Sequence, residues 1–280
     1  MRDRPDEQKV EQHYGQTDLI AGISAALTAA GKYLDALTID DIAPIDQFHT
    51  RGKVATLELA QRAGVRAGMQ VLDVGGGLGG PARMVAAQFG AQITVLDLTE
   101  AFVHAGTWLT RKVGLSDRVT FRHGSALDMP FADTSFDLVW TQHASMNIAD
   151  KKRLYAEIYR VLRPGGRFAL HDIMAGTVQP AHFPVPWARD PATSHLGVPE
   201  EIRALIKATG FREIEWVDET QIALSWFQQR AAAPASSTAA PGLNLLLGAE
   251  FAPMMQNQVR NLNEGRIKVF QGVFDRPQSN

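Results

Sequence analysis

The chain of 280 residues is long enough to bury a sizeable core, either as one large domain or as two small ones. It is 45% hydrophobic and 21% charged, and its net charge of −2 with no basic block argues against nucleic acid as a partner. It has no cysteine, which excludes disulfides, thiolate catalysis and cysteine metal sites. No apolar run is long enough to span a membrane, and the charged N-terminus lacks the apolar core of a signal peptide. We therefore expect a cytoplasmic protein.

The first part of the chain predicts helices. Residues 6–15 indicate a short polar helix, and the apolar stripe that begins at Leu19 indicates a second one. Residues 39–52 contain proline, aspartate and glycine, and predict an irregular segment. The pattern from Lys53 to Gly64 predicts a third helix, which that glycine ends.

From residue 69 onward, strands alternate with helices. Strands are predicted at 69–74, 91–98, 119–124, 135–141, 167–174, 211–217 and 267–274, and helices at 81–89, 100–113, 151–162, 199–208, 220–232 and 248–262. A turn is predicted at 163–166, a long ordered loop at 175–198 and a small-residue linker at 234–241. The alternation predicts an α/β fold built on a mostly parallel, doubly wound sheet.

The predicted elements also suggest a division of the chain. We expect residues 1–52 to form an N-terminal helical cap and residues 53–280 to form the main domain, with a helical lid insert at 220–264. The insert contains the apolar stretches 243–247 and 251–255, which indicate a cover over a site or the surface of a homodimer.

A glycine-rich turn follows the first predicted strand and forms the centre of the pattern. Gly75, Gly77 and Gly79 follow Asp73, and glycine allows the backbone to bend sharply and to approach a ligand closely. The second predicted strand ends at Asp97, where a carboxylate is placed to accept hydrogen bonds from a ribose diol. The pattern favours a nucleoside site, although the glycines alone also fit a purely structural turn.

Four signatures along the chain together resemble one known family. They are Asp73-x-Gly75-x-Gly77-x-Gly79, Asp97, Phe131-x4-Phe136-Asp137 and Arg160-Val161-Leu162-Arg163-Pro164-Gly165-Gly166. In this order they resemble the class I S-adenosylmethionine-dependent methyltransferases, over residues 48–217. The resemblance implies a seven-stranded, Rossmann-like sheet whose last strand is antiparallel. It also implies S-adenosyl-L-methionine as cofactor and S-adenosyl-L-homocysteine as product, in place of the pyrophosphate ligand of a nicotinamide dehydrogenase.

The resemblance also implies which residues bind the cofactor. They are Asp73, Gly75, Gly77, Asp97, Leu98, Ser125, Ala126 and Gln142. Asp73 either organises the turn or meets the methionine amino group, and Asp97 either binds ribose or caps a helix. Ser125 stands where many members of the family have an aspartate that receives the adenine amino group.

Within the family, Phe48-His49-x2-Gly52 and the stretch 140–144 most resemble bacterial small-molecule enzymes that methylate glycine derivatives and amines. The tocopherol and sterol C-methyltransferases are more distant. The acceptor is expected to be a small molecule, with an amine nitrogen favoured because a neutral histidine can take its proton. Methylation of carbon or oxygen in an isoprenoid or phenolic acceptor remains an alternative, as does a binding protein without turnover.

His143 is the predicted catalytic residue, because it follows the fourth strand at the sheet edge where ligands bind in open α/β folds. It is expected to contact the substrate or accept its proton, against the alternative of a structural histidine. Tyr14, His49, His171 and Trp187 are weaker candidates for substrate contacts, each with a packing alternative. No histidine spacing predicts a metal site.

Overall fold

The computed structural model describes residues 5–14, 18–232 and 242–278. Seven strands form one sheet: β1 (Gln70–Val74), β2 (Gln92–Asp97), β3 (Val119–His123), β4 (Phe136–Gln142), β5 (Leu162–Ala175), β6 (Arg212–Asp218) and β7 (Ile267–Asp275). Their order across the sheet is β3-β2-β1-β4-β5-β7-β6. Strands β1 to β5 pair in parallel, whereas β7 is antiparallel to both β5 and β6. The sheet is therefore mixed, and the glycine turn follows β1 in its parallel part.

The helices that surround the sheet are α1 (Pro5–Tyr14), α2 (Leu19–Ala29), α3 (Ile39–Asp46), α4 (Gly52–Ala63), α5 (Gly80–Phe89), α6 (Glu100–Lys112), α7 (Lys151–Val161), α8 (Pro199–Ala208), α9 (Thr220–Ala232), α10 (Asn244–Leu247) and α11 (Phe251–Asn263). Among the described residues, no helix has the length and hydropathy that a membrane span needs. The predicted linker at 234–241 lies outside the described residues.

The prediction of an irregular segment at 39–52 is wrong, because α3 begins there. Thr38 caps this helix: its hydroxyl accepts from the backbone N–H of Asp41, and the Asp41 carboxylate accepts from the backbone N–H of Thr38. This reciprocal cap outweighs Pro44, which lies inside the helix, and the fully buried Ile45 anchors the helix. The turn predicted at 163–166 is also wrong, because those residues belong to β5.

Successive residues of the central strands point to opposite faces of the sheet, and each face has its own buried cluster. On one face, Leu72 packs with the side chains of α7 and α8. On the other face, Val71 packs with side chains of α4 and α5. The resulting three-layer arrangement leaves the carboxyl ends of β1, β2 and β4 free to form a site.

The N-terminal helices and the insert share a third cluster. Ile23 of α2 and Ile45 of α3 pack with Leu109 of α6 and Leu246 of α10. A fourth cluster joins the loop after β5 to α9 and α11. The apolar residues of the insert thus pack toward the rest of the chain, while the lid insert, the homodimer and the division at residue 52 remain predictions.

Candidate active site

A cavity of about 920 Å³ opens at the carboxyl ends of β1, β2 and β4. All the predicted cofactor-binding residues except Ser125 line this cavity, which we call the first cavity: Asp73, Gly75, Gly77, Asp97, Leu98, Ala126 and Gln142. The parallel strands bring these residues together because their carboxyl ends meet at one edge of the sheet.

The glycine turn needs glycine at Gly75. Its φ of +71° lies in the left-handed region, and a Cβ atom there would be 2.5 Å from the Cβ of Ala144. The backbone N–H of Gly75 donates to the carbonyl of Leu96 over 2.7 Å, which joins the turn to the end of β2. The turn is thus held close to the cavity with no side chain of its own in the way.

Asp97 joins the glycine turn to the start of α6. Its carboxylate accepts hydrogen bonds from the backbone N–H groups of Gly77 and Thr99, each over 2.8 Å. Burial raises the pKa of Asp97, and the two backbone N–H groups oppose that shift. The carboxylate therefore organises the turn, and its position on the cavity wall keeps the predicted ribose contact open.

Asp73 carries a carboxylate that is incompletely satisfied. The residue is buried on the cavity wall, and its Oδ2 has no hydrogen-bond partner among the described residues. Burial, assisted by the negative charge of Asp97, raises the pKa of Asp73 to about 7. A buried carboxylate oxygen without a donor beside the glycine turn fits the ammonium group of a bound amino acid.

Ser125 lies outside the cavity wall. Its hydroxyl donates to the carboxylate of Glu7 in α1 and accepts from the backbone N–H of Leu127 over 3.0 Å. Asp6, Glu7 and Val10 of α1 line the first cavity, so this helix covers it. Ser125 thus holds the covering helix, and its predicted adenine contact remains a prediction.

A second cavity of about 710 Å³ adjoins the first. Most of its wall is apolar, and it includes Met146, Ile173, Trp187, Trp226, Phe227, Leu243, Phe251 and Met255. The two cavities share Phe48, His49 and His143. The second cavity is therefore placed to hold an acceptor next to a cofactor in the first.

His143 lies at the junction of the two cavities in a left-handed backbone conformation, with φ of +48°. Its backbone N–H donates to the carbonyl of His171 over 2.8 Å, which fixes the loop after β4. Its Nε2 is buried and has no hydrogen-bond partner in the described part of the chain. Burial, assisted by His49, holds the pKa of His143 well below the usual value, so the imidazole is neutral at pH 7.

His49 and His171 pack beside His143. The ring centroids of His143 and His171 are 4.8 Å apart, and His49 lies 6.1 Å from the first and 5.9 Å from the second. His49 lines both cavities, and its Nε2 lies 2.9 Å from the carbonyl oxygen of Gly52. His171 is fully buried and lines neither cavity, so it supports His143 from behind. Across residues 5–14, 18–232 and 242–278, no group of three or more histidine or acidic side chains is arranged to hold a metal.

The remaining substrate candidates have different outcomes. Trp187 lines the second cavity and is almost fully buried, and its indole N–H donates to the hydroxyl of Ser194 over 2.9 Å. Tyr14 ends α1, and its side chain lies outside the described part of the structure.

Several polar residues near the site follow no recognisable sequence motif. Arg51 donates to Glu219 and to Glu58, each over 2.7 Å, and the Glu219 carboxylate lies 4.0 Å from Nε2 of His171. A second buried ion pair joins Asp46 on the wall of the first cavity to Arg83 of α5 over 2.6 Å. Because these partners lie far apart in sequence, only the fold brings them together.

Residues 72–170 match the family of proteins described as "Methyltransferase domain". Residues 72–170 thus form a methyltransferase domain. The glycine turn and the ends of β1 and β2 line part of the first cavity. S-adenosylmethionine is the cofactor of this class of domain. The first cavity, with its glycine turn and its unpartnered Asp73 oxygen, fits an adenosyl amino acid.

Two relatives and one solved structure are similar to parts or all of the chain. The sterol 24-C-methyltransferase ERG6B of Gibberella zeae is 42% identical over 114 residues, which is 41% of this chain and 30% of that enzyme. The O-methyltransferase resE of Aspergillus sclerotiorum is 33% identical over 175 residues, covering 59% of this chain and 65% of that enzyme. The chain thus spans less than two thirds of either relative.

One solved structure matches the fold of this protein over almost its whole length. The geranyl diphosphate C-methyltransferase from Streptomyces coelicolor A3(2), solved with Mg²⁺, geranyl diphosphate and S-adenosyl-L-homocysteine, superposes with a TM-score of 0.71. The match covers 99% of each chain at 17% identity, so it concerns the fold.

Proposed function

We propose that this protein transfers the methyl group of S-adenosylmethionine to a hydroxyl oxygen of a small molecule in the second cavity. The observation that carries the proposal is the junction of the two cavities at His143, whose Nε2 has no hydrogen-bond partner among the described residues. S-adenosylmethionine supplies a methyl group already activated by a sulfonium. The work of the chain is therefore to align the acceptor, exclude water and remove one proton.

His143 is the residue that accepts this proton. Its imidazole is neutral at pH 7, and its unpartnered Nε2 is free to take a proton from an acceptor hydroxyl. A phenol or enol suits this weak base best, because the pKa of a phenol is about 10. The hydrogen bond from the backbone of His143 to His171 holds the imidazole at the junction.

The proposal replaces the amine acceptor that the sequence favoured. An alkyl amine has a pKa of about 10 and arrives as a cation. Burying such a cation in the mostly apolar second cavity is costly, whereas a phenol enters the cavity neutral. Of the two relatives described above, one is named as a C-methyltransferase and the other as an O-methyltransferase, and the O-methyltransferase matches the larger share of this chain. These points support oxygen as the methylated atom, and the experiment must distinguish it from carbon.

The proposed function is tested in two steps. Calorimetric titration with S-adenosylhomocysteine and with NADH comes first, and binding of NADH alone would exclude a methyltransferase. Incubation with methyl-¹³C S-adenosylmethionine and a panel of phenols, enols, alkyl amines and alkenes follows. NMR then shows whether the label is attached to oxygen, nitrogen or carbon. Binding of the cofactor product without turnover of any acceptor would favour the binding-protein alternative.

The affinity for S-adenosylhomocysteine should rise with pH. Asp73 has a pKa of about 7, and only its ionised form can pair with the ligand's ammonium group. The dissociation constant measured by calorimetry should therefore be about tenfold weaker at pH 6 than at pH 8. The stability of the protein without ligand should change with pH in the opposite direction. Because the pKa of Asp73 is raised in the folded state, this group stabilises the fold at low pH, and that stability is lost as the pH rises through 7. Asp73→Asn should remove the pH dependence of binding, and an equally steep profile in that variant would contradict the assignment.

Asp97→Ala should weaken S-adenosylhomocysteine binding by about 10- to 150-fold, the range expected for charge-assisted hydrogen bonds. The reason is twofold, since Asp97 holds the glycine turn through Gly77 and also faces the cavity. Calorimetry measures the effect. Asp117→Ala is the matched control, because it removes one exposed carboxylate away from the cavity and should change the affinity by less than about twofold.

A further inference from the structure

Besides His143, the wall of the second cavity has a second side chain, Gln47, with a buried polar atom that has no hydrogen-bond partner among the described residues. Gln47 directly follows α3 as its C-cap residue and lines this cavity, and its side chain is buried. Its amide Nε2 has no acceptor among the described residues, whereas its Oε1 accepts from the hydroxyl of Thr56 over 3.4 Å. Because a buried donor without an acceptor costs free energy, this N–H group favours the binding of a ligand oxygen at this point of the cavity.

The neighbouring hydrogen bonds support this orientation of the amide. The indole N–H of Trp140 can only donate, and it donates to Oε1 of Gln142 over 3.0 Å. Nε2 of His49 lies 2.9 Å from the Thr56 hydroxyl, but it also lies 2.9 Å from the carbonyl oxygen of Gly52, which only accepts, so this nitrogen is a donor. With the Gln142 oxygen already bonded to Trp140, the single hydroxyl proton of Thr56 is available to Oε1 of Gln47. The Gln47 NH₂ group is then the end of the amide that remains for the cavity.

The charged residues on the cavity wall all have partners. Arg51 is paired with Glu58 and Glu219, Lys53 is paired with Asp40, and the guanidinium of Arg230 lies 4.9 Å from the ring centroid of Trp226. Among the described residues, Arg51 is the buried charged side chain of this wall, and it is already paired, so a charged acceptor that is buried here would lack a counter-charge, which is costly. The cavity therefore favours a neutral ligand.

The lining and volume of the cavity favour a ring system. Trp187, Trp226 and Phe227 supply flat aromatic surfaces, and the volume of about 710 Å³ lies within the usual range for drug-sized ligands. We propose, resting on the function proposed above, that the acceptor is a neutral hydroxylated polycyclic ketone. Its hydroxyl faces His143, and its carbonyl oxygen accepts a hydrogen bond from Nε2 of Gln47.

Two matched probes test this proposal in the protein saturated with S-adenosylhomocysteine. 2-Hydroxy-9-fluorenone and 2-hydroxyfluorene share a ring system and a hydroxyl, and they differ by one carbonyl oxygen. Calorimetry should show that the ketone binds about tenfold more tightly. Equal affinities, or binding of neither probe, would overturn the proposal. So would 9-fluorenone-2-carboxylate binding as tightly as the hydroxyketone, because that probe carries a charge.

Variants assign the preference to Gln47. Gln47→Met keeps the side-chain length and removes the amide, so the two probes should bind with equal affinity. Gln258→Met is the matched control, because Gln258 is another buried glutamine of this cavity whose amide already donates to Thr50 over 3.3 Å. This control should keep the preference for the ketone, and a Gln47→Met protein that also keeps it would contradict the assignment. If Gln47→Met does not fold, the two probes with the unaltered protein still decide the case.

The outcome is independent of turnover. A ketone preference without methylation of either probe would support the cavity assignment and count against methyl transfer. If both probes were methylated and bound with equal affinity, the result would support methyl transfer and count against the cavity assignment.

Discussion

His143→Asn should lower kcat for methyl transfer by about 100- to 10,000-fold, the usual contribution of a general base. Asparagine tolerates the left-handed conformation that position 143 adopts, so the variant removes the imidazole without straining the backbone. Steady-state assays measure the effect, with an acceptor that the unaltered protein methylates as the substrate. Calorimetry should show that the affinity for S-adenosylhomocysteine changes by only a few-fold, because His143 forms one edge of the first cavity.

His104→Asn is the control for this experiment. His104 is exposed on α6 and lines neither cavity, so its replacement should leave kcat within about twofold. A His143→Asn enzyme with kcat within threefold of the unaltered protein would show that His143 is structural and that the acceptor loses its proton elsewhere.

Arg83→Met should lower the free energy of unfolding by about 3–5 kcal/mol, the usual cost of breaking a buried ion pair. Arg83 is fully buried, and its guanidinium donates to Asp46 over 2.6 Å and to the hydroxyl of Thr110 over 2.8 Å. The substitution leaves the buried Asp46 carboxylate, whose Oδ1 already lacks a partner, without its counter-charge. Urea unfolding followed by circular dichroism measures the loss.

Two further variants test whether the loss of stability comes from the buried ion pair. Arg203→Met breaks the exposed ion pair with Glu213 and should cost less than about 1 kcal/mol. Adding Asp46→Leu to Arg83→Met should restore a large part of the stability, because no buried charge is then left unpaired. A loss below about 1 kcal/mol in Arg83→Met alone would mean that water or a rearranged side chain compensates Asp46.

The strands were the most predictable part of the fold. The strands β1, β2 and β4 are short apolar runs buried in the sheet, and such runs stand out in the sequence. Helix α3 was missed because its stability depends on a cap and on buried contacts. Its proline and aspartates are typical of loops, while the cap at Thr38 and the buried Ile45 become decisive only in the folded chain.

The candidate site divides in the same way. Asp73 and Asp97 were predictable because both lie at the carboxyl ends of strands, Asp73 next to the last residue of β1 and Asp97 as the last residue of β2, and parallel strands end at one edge of the sheet. Arg51 and Glu219 were not, because 168 residues separate them and each reads alone as a surface charge. Likewise, the Ser125 hydroxyl meets Glu7 across 118 residues, a contact that no local pattern reveals.

Phe48, His49 and His143 form a wall that both cavities use. An acceptor that shifts any of these side chains changes the surroundings of the cofactor as well. Thermodynamic reciprocity then requires each ligand to alter the affinity of the other by the same factor. A shared wall therefore couples the two sites energetically, and the size of that coupling depends on three side chains.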